Sequence, residues 1–247
     1  MDISGSKQFE TEVIGVISRT KDVISVRFRR PDGFDYLSGQ WAFVSVGSEK
    51  GQEMKPLSLS SSPTESFIEF TKRLTGHVFS NAFAAMKVGD KALINGPRGK
   101  LTLPSDYKKI CMLSGGIGIT PLRSMIKYST DMQLKTSIVL LYSNRFEDSI
   151  VFMDDFNEML AKNPNLKVII TITKPSQNWK GLTGRIDRDM IEKYVPDYDE
   201  RVFYSCGPRP MVDTMVAMLG KMGVPEGQLR YEYFSGYLGA SGGESAQ

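Results

Sequence analysis

The stretch Ile110-Cys111-Met112-Leu113-Ser114-Gly115-Gly116-Ile117-Gly118-Ile119-Thr120-Pro121 runs from an apolar tetrad through three glycines to a proline. A short apolar run bounded by glycine reads as a buried strand. Pro121 suits the first turn of a helix, where a missing N–H loses no partner. The order is therefore strand, tight turn, helix. Glycines in such a turn let the main chain approach a pyrophosphate, and the following helix offers N–H donors and a favourable dipole. A lone turn of this kind is also compatible with no ligand, so its meaning depends on the flanking sequence.

The same grammar repeats on the C-terminal side of Pro104. Lys109 to Leu113 is followed by a helical pattern from Pro121 to Tyr128, and Ser137 to Tyr142 by another from Phe152 to Ala161. Val168 to Thr173 and Val202 to Ser205 read as further strands, the latter leading into a helix from Met211 to Met222. Alternation of this type predicts a parallel sheet covered by helices. The turn Cys206-Gly207-Pro208-Arg209-Pro210-Met211 opens the last helix, so two glycine-bearing turns lie at strand carboxyl ends and are expected to face one crevice. Cys206 taken alone reads as a buried small hydrophobe.

From Phe9 to about Leu103 the pattern is different. Short β-branched or aromatic runs separated by turn residues (Glu12 to Ile17, Val23 to Arg29, Trp41 to Val46, Phe67 to Lys72, Lys91 to Ile94) predict an antiparallel barrel or sandwich. One helix interrupts them, Ser80 to Met86, with Ser80 placed as its N-cap. The expected fold is thus two-domain: an antiparallel β-barrel over residues 1–104, then an α/β parallel-sheet nucleotide-binding domain over 105–247, with no long linker. Only the tail from Gly239 to Gln247 reads as disordered.

Composition narrows the function classes. The 247 residues carry a formal charge of +3 from interleaved basic and acidic side chains, which argues against a nucleic-acid face and suits an acidic electron-transfer partner. Met1 to Glu10 lacks a signal-type apolar core, and no stretch reaches the roughly 20 apolar residues of a membrane span, so a cytoplasmic protein is expected. Two cysteines, Cys111 and Cys206, and one histidine, His77, are too few for a conventional iron–sulfur cluster or zinc site, so no metal is expected. No disulfide framework is indicated.

In the first half, Lys55-Pro56-Leu57-Ser58-Leu59-Ser60-Ser61-Ser62-Pro63 offers a cation, hydroxyls and an extended X-Pro backbone, a cradle for a phosphate and a flat ring. With it the chain carries, in order, Gly39-Gln40-Trp41, Lys55 to Ser58, Gly76-His77-Val78-Phe79-Ser80, Gly96-Pro97-Arg98-Gly99, Gly115 to Pro121 and Cys206 to Met211. Tyr142-Ser143-Asn144-Arg145 and Glu232-Tyr233-Phe234 follow suit. In this ordered set the chain resembles the ferredoxin–NADP reductase superfamily over nearly its whole length. The resemblance implies a flavin-dependent NAD(P)H oxidoreductase, without an iron–sulfur domain of its own, that binds FAD rather than FMN.

By the same resemblance Lys55, Pro56, Leu57, Ser58, Phe70, Thr71, Lys72, Gly76, His77, Val78, Phe79 and Ser80 would hold the flavin. Gly116, Thr120, Pro121, Ser143, Arg145, Cys206, Gly207, Met211 and Phe234 would hold the nicotinamide dinucleotide or close the site. Ser58, Cys206 and Glu232 are the expected catalytic set, with Ser58 near flavin N5, Thr120 and Cys206 flanking the nicotinamide, and Glu232 with Phe234 completing the site from a C-terminal strand. Ser143 and Arg145 would meet a 2′-phosphate, which favours NADPH while leaving NADH open. The electrons would pass to an external acceptor: a ferredoxin, a flavodoxin or an oxygenase component. An electron-transfer subunit of a larger redox or oxygenase complex, and a free-flavin reductase, are the alternatives. Two positions depart from the family pattern: Lys55 replaces arginine, giving up a bidentate fork, and Leu57 replaces an aromatic ring. Leu57 also motivates a third reading, a nucleotide-binding member that has lost its flavin. His77 stands where the tight phosphate turn usually has glycine.

Overall fold

The structure is a computed structural model and describes residues 7–48 and 51–234; the tail from Gly239 to Gln247 lies outside the described residues. The first half is an antiparallel sheet of β1 (Gln8–Thr20), β2 (Val23–Arg29), β3 (Trp41–Ser48), β4 (Gly51–Ser58), β5 (Phe67–Arg73) and β6 (Lys91–Arg98) in the order β4-β3-β6-β1-β2-β5. Alternation drives it, with Ala42, Val44 and Val46 buried on β3 and Ala92 and Ile94 on β6. The sheet curls until its edges approach, where Leu59, just past β4, bridges Phe70 on β5. Phe28, Phe34, Ile68, Phe70 and Phe83 fill the interior.

Helix α1 (Val78–Ala84) plugs this half-barrel and starts earlier than the sequence predicts. Phe79 and Phe83, one turn apart, are both buried with stacked rings 5.8 Å apart, so the helix must already be formed at Phe79. His77 therefore takes the N-cap position, and Ser80, the predicted cap, lies inside the helix with its hydroxyl accepting the Thr75 N–H at 2.9 Å. Strand β4 was not separable from a loop by pattern, because it pairs only with β3 and exposes most of its residues. An edge also tolerates Pro56.

The second half holds β7 (Lys109–Gly115), α2 (Ile119–Asp131), β8 (Ser137–Asn144), α3 (Met153–Lys162), β9 (Leu166–Ile172), β10 (Leu182–Thr183), α4 (Arg188–Tyr194), β11 (Val202–Pro208), α5 (Arg209–Lys221) and β12 (Leu229–Phe234). The strands lie parallel in the order β10-β9-β8-β7-β11-β12. The chain winds outward from β7 to β10, then returns to the other side of β7 as β11, so the order reverses between β7 and β11. Such a reversal opens a crevice at the strand carboxyl ends. Helix α4 and the two-residue β10 escape the sequence reading because they are too short for a clear period; α4 is announced only by Asp187, whose carboxylate accepts the Met190 N–H at 2.9 Å. Among the described residues no helix is long and apolar enough to cross a membrane.

The two halves meet through charge. Arg123 of α2 donates to both carboxylate oxygens of Glu65, to the Ser60 carbonyl at 3.1 Å and to Asp155 of α3. Asp155 also pairs with Arg19 of β1 at 3.0 Å, and Arg19 reaches Glu69 of β5 at 3.0 Å, which in turn accepts from Arg27 at 2.8 Å. Three guanidinium groups and three carboxylates are thus joined. Apolar contact backs them, with Val23, Leu101 and Leu103 packed in the core that holds Met125 of α2.

Burial alone would raise the Glu69 carboxyl, but attraction from Arg19, Arg123 and Arg27 outweighs it, and its pKa lies below the ordinary 4.5. A depressed carboxylate stabilises the fold above its unfolded pKa and loses that contribution as pH falls through the folded value. We therefore expect stability to fall on acidification below about pH 4.5, the Glu69 reference value. Glu69→Gln, which takes the fully buried carboxylate from the partly buried Arg19 and Arg27, should cost about 3–5 kcal/mol at neutral pH. The Glu69 share of the acid loss should vanish with it. Urea unfolding at a series of pH values measures both; a neutral-pH loss under about 1 kcal/mol would show that the network can be opened without penalty.

Candidate functional site

Two glycine turns build the nucleotide side. β7 ends in Gly115 and passes through the 3-10 turn Gly116–Gly118 into α2. A Cβ on Gly118 would stand 2.2 Å from the Cys206 carbonyl oxygen and 2.7 Å from Gly207 Cα, and one on Gly115 would stand 2.4 Å from Met211 Sδ. The turns after β7 and β11 are therefore in direct contact and tolerate no side chain between them. Gly116 has φ +54, the left-handed region that glycine enters without penalty. Its carbonyl accepts the Tyr142 hydroxyl at 3.0 Å.

Around this floor lie Thr120, Pro121, Cys206, Gly207, Met211 and Glu232. Thr120 is buried and its hydroxyl donates to the Ile117 carbonyl at 3.2 Å, one turn back; Pro121 follows at the third position of α2, a turn that still lacks intrahelical acceptors. Cys206 and Glu232 stand opposite each other in the β11–β12 register. Burial and then the Glu232 charge push the Cys206 thiol well above its ordinary value, so it is neutral. Burial also raises the Glu232 carboxyl to about 7. Phe234 ends β12 and packs on the same core as Cys206.

The outer part of the crevice is at the end of β8. Ser143 pairs in register with Gly115, and Arg145 is exposed with its guanidinium over the Phe146 ring at 5.3 Å. Beyond it opens a cavity of about 550 Å³ lined by Lys21, Phe146, Glu147, Asp148, Ser176, Asn178 and Trp179.

On the barrel side, β4 presents Lys55 and Pro56 exposed and Leu57 and Ser58 half-buried, with Leu57 against the barrel core. Lys72 of β5 is partly buried with its ammonium over the Phe79 ring at 5.9 Å, and its pKa is lowered by burial first and then by the charge of Lys55. Among the described residues neither lysine is part of an ion pair with a carboxylate. Gly76, with φ +76, precedes exposed His77 and the half-buried Val78 at the start of α1.

Several residues expected at the flavin turn their side chains into the barrel. The Phe70 ring is fully buried and meets Phe28 edge-on at 6.1 Å, and the Thr71 hydroxyl is bonded to Ser25 at 2.7 Å and Ser60 at 2.8 Å. Their side chains belong to the barrel interior. Phe79 and Ser80 are likewise buried, the one against Phe83 and the other on Thr75. The sequence reading missed Arg73, whose guanidinium lies 3.7 Å from where a Gly116 Cβ would be, bringing β5 of the barrel over the glycine turn. It also missed Phe146 and Trp179. Adjacent cations at Lys72 and Arg73, just ahead of Gly76, were the available signal for the first; nothing in the pattern marked the other two.

The arrangement fits two elongated anionic cofactors: cations at Lys55 and Lys72 on the barrel, and glycine turns whose main-chain N–H groups face a pyrophosphate at the switch point. Among the described residues no group of three or more His, Cys, Asp or Glu is placed to hold a metal ion.

Comparison with known proteins agrees with this geometry. Residues 10–103 match the family of oxidoreductase FAD-binding domains, and residues 112–217 that of oxidoreductase NAD-binding domains. A glycine betaine monooxygenase reductase subunit of Chromohalobacter salexigens is 29% identical over 232 residues, covering 90% of this chain and 62% of the relative. The chain spans about half to two thirds of the length of such curated relatives. Among solved structures, a ferredoxin reductase in carbazole 1,9a-dioxygenase superposes with a TM-score of 0.80 at 26% identity, over 93% of this chain and 70% of that one. A ferredoxin NADP+ reductase from Neisseria gonorrhoeae with bound FAD and NADP shares the fold, with a TM-score of 0.80 at 23% identity over 92% and 98% of the two chains. With an FAD-binding half-barrel leading into an NAD-binding parallel sheet, the chain belongs to the ferredoxin–NADP reductase superfamily, whose cofactors are FAD and NAD(P)H.

Proposed function

We propose that this protein takes hydride from NADH or NADPH onto bound FAD and passes the electrons to an acceptor outside the described chain, with residues 1–104 serving the flavin and 105–247 the nicotinamide. The observation that carries this reading is the contact between the glycine turns of β7 and β11, roofed by Arg73 from the barrel. It brings a dinucleotide-binding floor against the flavin half.

When bound, FAD accepts the hydride and releases electrons to the acceptor. The chain's own residues bind, align and exclude water. Lys55 and Lys72 would take the flavin phosphates, with point charges in place of a guanidinium fork. Leu57 would lie on the flat ring by apolar contact. Gly118 and Gly207 let the two turns close on each other, the main chain at Gly116 and Gly207 would meet the dinucleotide, and Thr120, with its hydroxyl already satisfied, presents a fixed methyl-bearing wall. Cys206, neutral and buried, supports a role as a small contact beside the nicotinamide and not as a nucleophile. Glu232 holds a proton on its carboxyl below about pH 7 and would keep the inner end of the site free of negative charge there. Ser58, Cys206 and Glu232 remain the proposed catalytic set.

The relatives that serve a monooxygenase and a dioxygenase favour an oxygenase component as acceptor, with a ferredoxin or flavodoxin as the second choice. On the nicotinamide, Arg145 is exposed and, among the described residues, in no ion pair, which suits a 2′-phosphate; Glu147 and Asp148 beside the neighbouring cavity suit NADH.

Anaerobic titration of purified holoprotein with each nicotinamide, followed by flavin absorbance, tests the function. Stoichiometric FAD and bleaching by at least one of them is expected; protein that carries no flavin, or flavin reduced by neither, refutes the proposal. If Arg145 meets a 2′-phosphate, Arg145→Ala should weaken NADPH by about 1–3 kcal/mol and leave NADH unchanged.

Glu232 yields a separate expectation. An acid raised on folding is protonated more readily in the native state, so its contribution is intact below the unfolded pKa and declines as pH rises through about 7. Melting temperature should fall between pH 5 and 8, and Glu232→Gln should flatten that part of the profile. An unchanged slope in the variant would mean that other groups set it.

A further inference from the structure

We infer that Arg123 is a positioning residue for hydride transfer: it sets the alignment of the flavin and nicotinamide half-sites across the domain boundary. The inference rests on the proposed reading of the two half-sites, and the observations behind it are independent of that reading.

Arg123 stands one helical turn after Thr120 on α2, and its side chain is 3% exposed. Its Nη1 donates to the carbonyl of Ser60, two residues beyond Ser58 on the segment leaving β4. The path from the nicotinamide wall to the flavin strand therefore consists of one helical turn, one guanidinium and two residues of extended chain. Ser124, next on the helix, donates to the Ser61 carbonyl and doubles the link. Glu65, held by both Nη groups, receives in turn the Ser62 N–H at 2.7 Å, so the whole Ser60–Glu65 loop is tied to α2.

The third direction is fixed as well. Nε and Nη2 of Arg123 donate to Asp155 of α3, whose other oxygen is held by Arg19 of β1. Both guanidinium groups also lie against the Phe152 ring, Arg19 at 4.8 Å and Arg123 at 5.7 Å from its centroid. Phe152 has φ +65, a backbone conformation rare for a bulky residue and held here at the start of α3 beside the two arginines.

A planar donor fork that engages three elements at once fixes orientation as well as distance, which a simple ion pair or an apolar contact would not. Burying such charges gives little net stability over an apolar replacement, so geometry is the property that this arrangement supplies. Hydride transfer is sensitive to that property, because a misplacement of about 1 Å can slow a reaction about 100-fold.

The test uses holoprotein variants Arg123→Lys and Glu65→Gln, each of which keeps a polar group of similar size. Arg201→Lys is the control. Arg201 is also buried and bonded, to Asp197, Ser137 and Ile110, but at the amino ends of the parallel strands, away from the crevice. Stopped-flow reduction by the better nicotinamide gives the limiting rate, the apparent Kd and the long-wavelength charge-transfer absorbance of the stacked rings, with melting temperatures and flavin content alongside. We expect Arg123→Lys and Glu65→Gln to lower the limiting rate about 10- to 100-fold and to weaken the charge-transfer band, with flavin content and apparent Kd close to the parent. Arg201→Lys should lower the melting temperature and spare the rate. Parental limiting rates in both test variants, or an equal slowing in Arg201→Lys, would overturn the positioning role and leave the proposed function standing. Wild-type flavin that neither nicotinamide reduces would overturn the proposed function and this inference with it.

Discussion

Three guanidinium groups and three carboxylates joined at one boundary, Arg123 and Glu69 buried and the other four partly so, are the constraint around which the molecule is organised. Arg19, Arg27 and Arg123 come from β1, β2 and α2; Glu69, Glu65 and Asp155 come from β5, the loop before it and α3. Removing such groups from water costs several kcal/mol per ion, recovered only when every partner is in place. The cluster is therefore close to all-or-none. A small rotation of one half against the other would leave buried charges unmatched, whereas an apolar interface of the same area could slide. The depressed Glu69 carboxyl and the raised Arg123 guanidinium agree that both stay ionised in the folded chain.

This explains why the two fold types were legible and the contact that joins them was not. The change from short alternating runs to strand–turn–helix units at Pro104 follows from periodicity, because burial on one face imposes a period of two on β3 and β6 and leaves β7 and β8 apolar on both faces. An arginine within α2, by contrast, reads as a solvated helix position. Its burial follows from partners contributed by distant segments, Ser60 and Glu65 lying 63 and 58 positions away and Asp155 32. Local pattern carries no record of such a meeting.

The site divides along the same line. Contact between the turns at Gly118 and Gly207 was readable because strand ends at a switch point must converge and glycine marks the closest approach. The inward turn of the Phe70 and Thr71 side chains was not, since a strand of the barrel also carries its core, and nothing in Phe70-Thr71-Lys72 says which side chain turns inward. Ser80 shows the same limit: a serine before an apolar pair reads as a cap until the burial of Phe79 places it inside the helix.

What the cofactor pattern lacks can be weighed against what surrounds it. Lysine at position 55 gives up the fork of an arginine, while Lys72 on β5 adds a second cation to the barrel. Burial, followed by the charge of Lys55, disfavours the charged form of the Lys72 ammonium, so on the proposed reading a flavin phosphate held there would restore part of what burial takes away. The loss of an aromatic ring at Leu57 removes stacking of about 0.5–1.5 kcal/mol, a deficit of the size that one relieved charge contact can offset. On the proposed function, flavin retention in this chain depends on the phosphate end more than on the ring, a shift in balance that follows from the departures at Lys55 and Leu57 and from the further lysine on β5.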